Sequence, residues 1–264
     1  MDHFENFYSK FVDFRNVDVW FPPGYEWEDN TRYPVLYMHD GQNLFDTATS
    51  YGGESWRVDQ AMTRLIDEAK IRGAIVVGVW NSPFRWREYL PQKPYESPAI
   101  QKHHPLFLER AGGPPISDAY LKFLVEELKP FIDSKYCTLP DRQNTFVMGS
   151  SMGGLISLYA ISEYPRVFGG AGCISTHWSA GGDDMVDEMA CRLPDPATHK
   201  LYFDFGTETL DAEYEPFQRR MDVHLCQAGY MENKNCVTCK FEGAEHSERS
   251  WRQRVQIPLE FLLG

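Results

Sequence analysis

The segment Gly149-Ser150-Ser151-Met152-Gly153-Gly154 puts Ser151 at the centre of a G-x-S-x-G pattern. The bare pattern is common, and its context gives it meaning. Strand-like TFVM (145–148) precedes it and helix-like GGLISLYAI (153–161) follows, which is the strand–turn–helix that presents a nucleophilic serine. Glycines leave room at a sharp turn, and the helix that follows points its N-terminus at a developing oxyanion. A serine hydroxyl also needs a base. Of the eight histidines, His246 sits in the loop GAEHSE, after the strand-like CVTCKF and before the last helical stretch. That is where the base falls when the chain order is nucleophile, acid, base. His199 precedes a strand and His224 lies inside a helical stretch, so both read as structural; His177 follows GCIS and is a candidate for the cleft wall. The acid belongs in the loop 206–212, where Glu208 and Asp211 compete. Asp211 is favoured, because it can turn back toward His246 and also cap a helix from Ala212. The Met152 amide supplies one oxyanion donor. The polar loop His39-Asp40-Gly41-Gln42-Asn43-Leu44-Phe45 supplies the other, with Gln42 preferred over Gly41 and Asn43.

These residues need a scaffold that brings distant loops to one end of a sheet. RNVDVWF (15–21), PVLYMHD (34–40), AIVVGVW (74–80), TFVMG (145–149), GGAGCIS (169–175), KLYFDFG (200–206) and NCVTCKFEG (235–243) read as strands. Helical spacing of apolar residues marks 55–69, 119–136, 152–165, 212–229 and 247–264. Strands alternating with helices predict a mostly parallel central sheet covered on both faces. Residues 83–116 break the rhythm with seven prolines and many aromatic and charged residues. The rhythm resumes afterwards, so 1–264 is expected to be one domain carrying an insertion near the active site. Trp178, in STHW, is expected to shape the substrate pocket.

Composition narrows the function classes. The 264 residues carry 26 Lys plus Arg against 38 Asp plus Glu, a net charge of −12. That excludes a phosphate-tracking nucleic-acid binder and a polybasic membrane-surface protein. The longest apolar run, GAIVVGVW (73–80), is far shorter than the roughly 18 residues of a membrane helix. No signal-peptide core is present near the N-terminus, so the expected compartment is the cytoplasm, or the periplasm or exterior if a signal was removed. Six cysteines are too sparse for a disulfide scaffold. Cys236 and Cys239 form a C-x-x-C without a second ligand pair, so they read as small buried thiols in a strand. No metal or cofactor is implied.

LYMHDGQNLFD, the GVWN strand end, EYLP (88–91), MGSSMGGL and GAEHSExxW (243–251) resemble the putative-esterase (esterase D-like) family of α/β-hydrolases. That family includes feruloyl and acetylxylan esterases, S-formylglutathione hydrolase and siderophore esterases. The resemblance runs from about Arg15 to Leu263. It implies the α/β-hydrolase fold, Ser151 as nucleophile and His246 as base. Many relatives carry an Asp three residues after the glycine, where this chain has Thr209, which keeps Asp211 and Glu208 in competition. The expected activity is carboxylic ester hydrolysis through an acyl-enzyme, on small-molecule acyl esters of sugars or phenolic acids. An acyltransferase or thioesterase using the same triad is the alternative, and a non-catalytic binding module is less favoured.

Overall fold

Continuous β-branched and small apolar runs make strands that are buried on both sides. In the computed structural model, which describes residues 1–26 and 30–264, eight strands form one sheet. They are β1 (Asp2–Phe7), β2 (Arg15–Trp20), β3 (Val35–His39), β4 (Ile75–Val79), β5 (Thr145–Ser150), β6 (Gly170–Ile174), β7 (Lys200–Gly206) and β8 (Cys236–Phe241). Every residue of β3, β4, β5 and β6 is buried. The order is β1-β2-β4-β3-β5-β6-β7-β8. The pairs β1–β2 and β2–β4 are antiparallel, and all later pairs are parallel. β1 was not legible as a strand, because DHFENF mixes charge with phenylalanine. It lies at the sheet edge and is half exposed, where charged side chains discourage pairing with another chain.

Helices cover both faces. α1 (Val58–Asp67) follows β3, and α2 (Arg85–Tyr89), α3 (Gln92–Glu96) and α4 (His104–Ala111) lie within the 83–116 segment. Next come α5 (Ser117–Lys122) and α6 (Lys129–Lys135), joined without a break by a wider helical turn at Phe123–Leu128. α7 (Met152–Glu163), α8 (Gly182–Ala190), α9 (Glu215–Gln227), α10 (Glu248–Arg254) and α11 (Gln256–Leu263) complete the set. One apolar cluster joins Val35, Tyr37, Val147 and Phe203 to Leu121, Leu155, Met185 and Met221. The other joins Leu36, Met38, Met148 and Tyr202 to Leu65, Trp251 and Leu259. Alternate residues of one strand thus feed opposite faces. Cys236 belongs to the first cluster and Cys239 packs against the second. Three residues apart on β8, these two thiols point to opposite sides of the sheet.

Outside the 83–116 segment, two helix boundaries and one whole helix differ from the sequence reading. The last helix divides at Val255, because Pro258 has no N–H to bond the carbonyl four residues back. The helix expected from Ala212 begins at Glu215, and a tight turn, Thr209–Glu213, precedes it. α8 was unread, since GGDDMVDEMA opens with two glycines and two acids. Among the described residues no helix is long and apolar enough to cross a membrane.

Candidate active site

Ser151 sits between β5 and α7 with φ 58° and ψ −123°, a conformation an L-residue holds only when its surroundings enforce it. The enforcement is visible. The Ser151 N–H donates to Ile174 O at 2.9 Å, and its carbonyl accepts the His177 N–H at 3.1 Å. A β-carbon on Gly149 would stand 2.8 Å from backbone atoms of Gly153, so the first glycine of the motif permits the turn. At Gly153 itself an added β-carbon would meet only ordinary contacts.

His246 and Asp211 meet across two loops. Asp211 Oδ1 lies 2.6 Å from His246 Nδ1. The His246 backbone N–H donates to Thr209 Oγ1 at 2.8 Å. Thr209 therefore holds the His246 loop in place. Trp251 and Tyr214 meet the imidazole edge-on, at 4.9 and 5.7 Å between centroids. Asp211 is fully buried, while Glu208 is exposed and its N–H serves only to bond Ala244 O. Asp211 does not cap α9. Its Oδ2 accepts the Ser175 hydroxyl and the Gly206 N–H, both at 2.6 Å. Burial alone would raise its pKa, but the hydrogen bonds from His246, Ser175 and Gly206 outweigh burial and hold it below the usual carboxylate value. Ser175 is itself fixed, accepting from Trp251 Nε1 at 3.0 Å and Arg254 Nη2 at 2.8 Å. Arg254 also bonds Asp204 at 3.0 Å. Sequence reasoning missed Ser175 and Arg254. Trp251 was present in the GAEHSExxW signature but had no assigned role.

The loop after β3 is locked from the 83–116 segment. Asp40, at φ 57°, takes a two-pronged ion pair from Arg85, with both contacts at 2.7 Å, and the Asn81 amide at 2.6 Å. A β-carbon on Gly41 would stand 2.5 Å from the Gly78 carbonyl carbon, so only glycine lets this loop lie against β4. Gln42 Oε1 accepts the Asn81 N–H at 3.2 Å. Gln42 lies in the short turn Gly41–Asn43 and Met152 opens α7, so neither amide has an acceptor within its own helical turn. Ser151, His246 and Gln42 line one cleft of about 490 Å³, together with Trp86, Trp251 and Glu248.

Trp178 requires a correction. It is 1% exposed, its indole N–H bonds Gln218 Oε1 at 3.0 Å and its ring packs on Phe203. It is absent from the lining of the cleft that holds Ser151, because it turns inward at the end of β6 and fills the core. Trp86, from the 83–116 segment, lines that cleft instead. His177 is buried beneath Trp86, 5.5 Å between rings, with Nδ1 2.6 Å from the Tyr214 hydroxyl. Burial, with His246, Arg85 and Arg110 nearby, pushes its pKa down to about 3. His199 is held by the carbonyls of Asp195 and Pro165, and His224 by Asp187.

Known proteins extend this picture. The chain is 24% identical over 258 residues to the uncharacterised protein YbbA of Bacillus subtilis (strain 168), covering 95% of this chain and 93% of that one. Its fold matches a ferulic acid esterase with a TM-score of 0.70 at 18% identity, over 99% of this chain and 97% of the other. It also matches the siderophore hydrolase EstA from Aspergillus nidulans with a TM-score of 0.69 at 17% identity, over 100% and 95% of the two chains. The family model described as "Putative esterase" matches residues 11–257. With an α/β-hydrolase sheet and that match over nearly its whole length, the chain belongs to the putative esterase family and is an ester hydrolase.

Proposed function

We propose that this protein hydrolyses carboxylic esters through an acyl-enzyme formed on Ser151. The observation that carries the reading is the 2.6 Å Asp211–His246 pair opening on the same cleft as the strained serine. Asp211 fixes the imidazole with its Nδ1 proton inward, which leaves Nε2 to take the Ser151 proton. Ser151 Oγ then bonds the ester carbonyl carbon, and the amides of Met152 and Gln42 stabilise the oxyanion. The C–O bond to the alcohol breaks as His246 returns the proton to the departing oxygen. Water, deprotonated by His246, releases the acid and restores Ser151. Trp86 and Tyr51 line the cleft and offer flat faces to a sugar ring or a phenolic acyl group. Two structural neighbours are named as a ferulic acid esterase and a siderophore hydrolase, which supports esters of this kind.

The test is a panel of p-nitrophenyl acyl esters with acetylated and feruloylated sugars, assayed on the wild type and on Ser151→Ala. Turnover by the wild type alone is expected. Equal turnover by both proteins would remove Ser151 from the mechanism.

A further inference from the structure

Glu248 stands two residues after His246 and lines the cleft that holds Ser151. Its Oε1 lies 3.4 Å from Asn43 Nδ2. The orientation of that amide is fixed, because Asn43 Oδ1 accepts the Tyr51 N–H at 2.9 Å. The cleft's other charges are matched. Arg85 gives both prongs to Asp40 at 2.7 Å, and Asp211 faces His246 with Arg254 3.7 Å behind it. Among the described residues, Glu248 has no ion-pair partner within 4.0 Å. Its carboxylate is half-buried, and burial, with the Asp40 charge adding to it and His246 and Arg85 only partly offsetting both, raises its pKa. A cation entering the cleft would offset that desolvation penalty. Trp86 and Tyr51 line the same space, and aromatic faces attract ammonium groups.

We propose that Glu248 is a charge selector. Esters bearing an ammonium group a few bonds from the scissile carbonyl are bound in preference to neutral isosteres, and esters bearing a carboxylate there are disfavoured. This rests on the esterase reading above.

Three acetate esters with the same two-carbon linker test it: acetylcholine, its neutral isostere 3,3-dimethylbutyl acetate, and the acetate ester of 3-hydroxypropanoate. Hydrolysis is followed by proton release near pH 8 and low salt, with p-nitrophenyl acetate on the same preparation. The cation is expected to exceed the neutral ester about fivefold to tenfold in kcat/KM, chiefly through KM, and the anion to fall below it by a similar factor. Glu248→Gln should draw the three values together, while Glu248→Asp should keep their order. Salt at about 0.5 M should narrow the spread. Equal rates for the three esters in a wild type that cleaves p-nitrophenyl acetate would overturn the selector and leave the esterase reading standing. A spread that survives in folded Glu248→Gln would overturn it too. A wild type that cleaves none of the four esters would overturn both.

Discussion

Each oxygen of Asp211 has its own task. Oδ1 faces His246, and Oδ2 accepts from Ser175 and Gly206. An amide in its place keeps the shape but must present NH2 either to the imidazole N–H or to two donors. Asp211→Asn is therefore expected to lose up to roughly 10⁴ in kcat and to melt several degrees lower, read by steady-state kinetics and thermal denaturation. Glu208→Gln should behave like the wild type in both, since Glu208 is exposed and clear of the base. An inactive Glu208→Gln with an active Asp211→Asn would exchange their roles. Ser151→Ala should lower kcat by roughly 10³ to 10⁶ with the fold intact. A fluorophosphonate should label the wild type at Ser151, and labelling at Ser150 instead would move the nucleophile.

The elements that carry these residues differ in how much of their geometry was written in the sequence. β5, the turn and α7 were legible because each uses a strong local signal: a buried apolar run, a glycine motif and a uniformly apolar helix. The 83–116 segment was legible as a break in the strand–helix rhythm and no more. Its seat depends on Glu88, which meets Arg15 of β2 at 2.6 and 3.0 Å, a contact between residues 73 apart in the chain. Long-range pairing of that kind leaves no periodic trace. It also explains the error at Trp178, where the local pattern gave no direction to the side chain and tertiary packing turned it inward. Both side chains of the Arg15–Glu88 pair are 1% exposed. Glu88→Ala leaves an uncompensated buried guanidinium, and a loss of roughly 3–5 kcal/mol is expected in urea denaturation. Arg85 and Trp86 share α2 with Glu88, so kcat/KM should fall with it. Gly41→Ala should act on the opposite wall, because its β-carbon meets backbone on β4 that cannot yield.

On the scale of the whole molecule, two buried histidines are expected to weaken the fold in acid. His39 and His177 both have folded pKa values pushed from 6.5 to about 3, chiefly by burial. Below pH 6.5 the unfolded chain takes up protons that the folded chain refuses. Stability is therefore lost as pH falls from about 6.5 toward 3, by up to about 1.4 kcal/mol per pH unit for each residue. Urea unfolding at pH 7, 6 and 5 measures it, and His39→Asn should flatten the slope; a wild-type profile already flat over that range would contradict the assignment. The strand order has a further consequence. Ser151 follows β5, which is buried throughout and paired on both sides. His246 follows β8, which pairs with β7 and is mostly half-exposed. Cooperative opening begins at such margins, so Ser151 and His246 belong to regions expected to exchange amide hydrogens on different timescales. Protection should be lost along β8 well before β5. In rising urea the hydrolytic rate should then collapse while core tryptophan fluorescence is still native, as His246 detaches from a serine that has not moved.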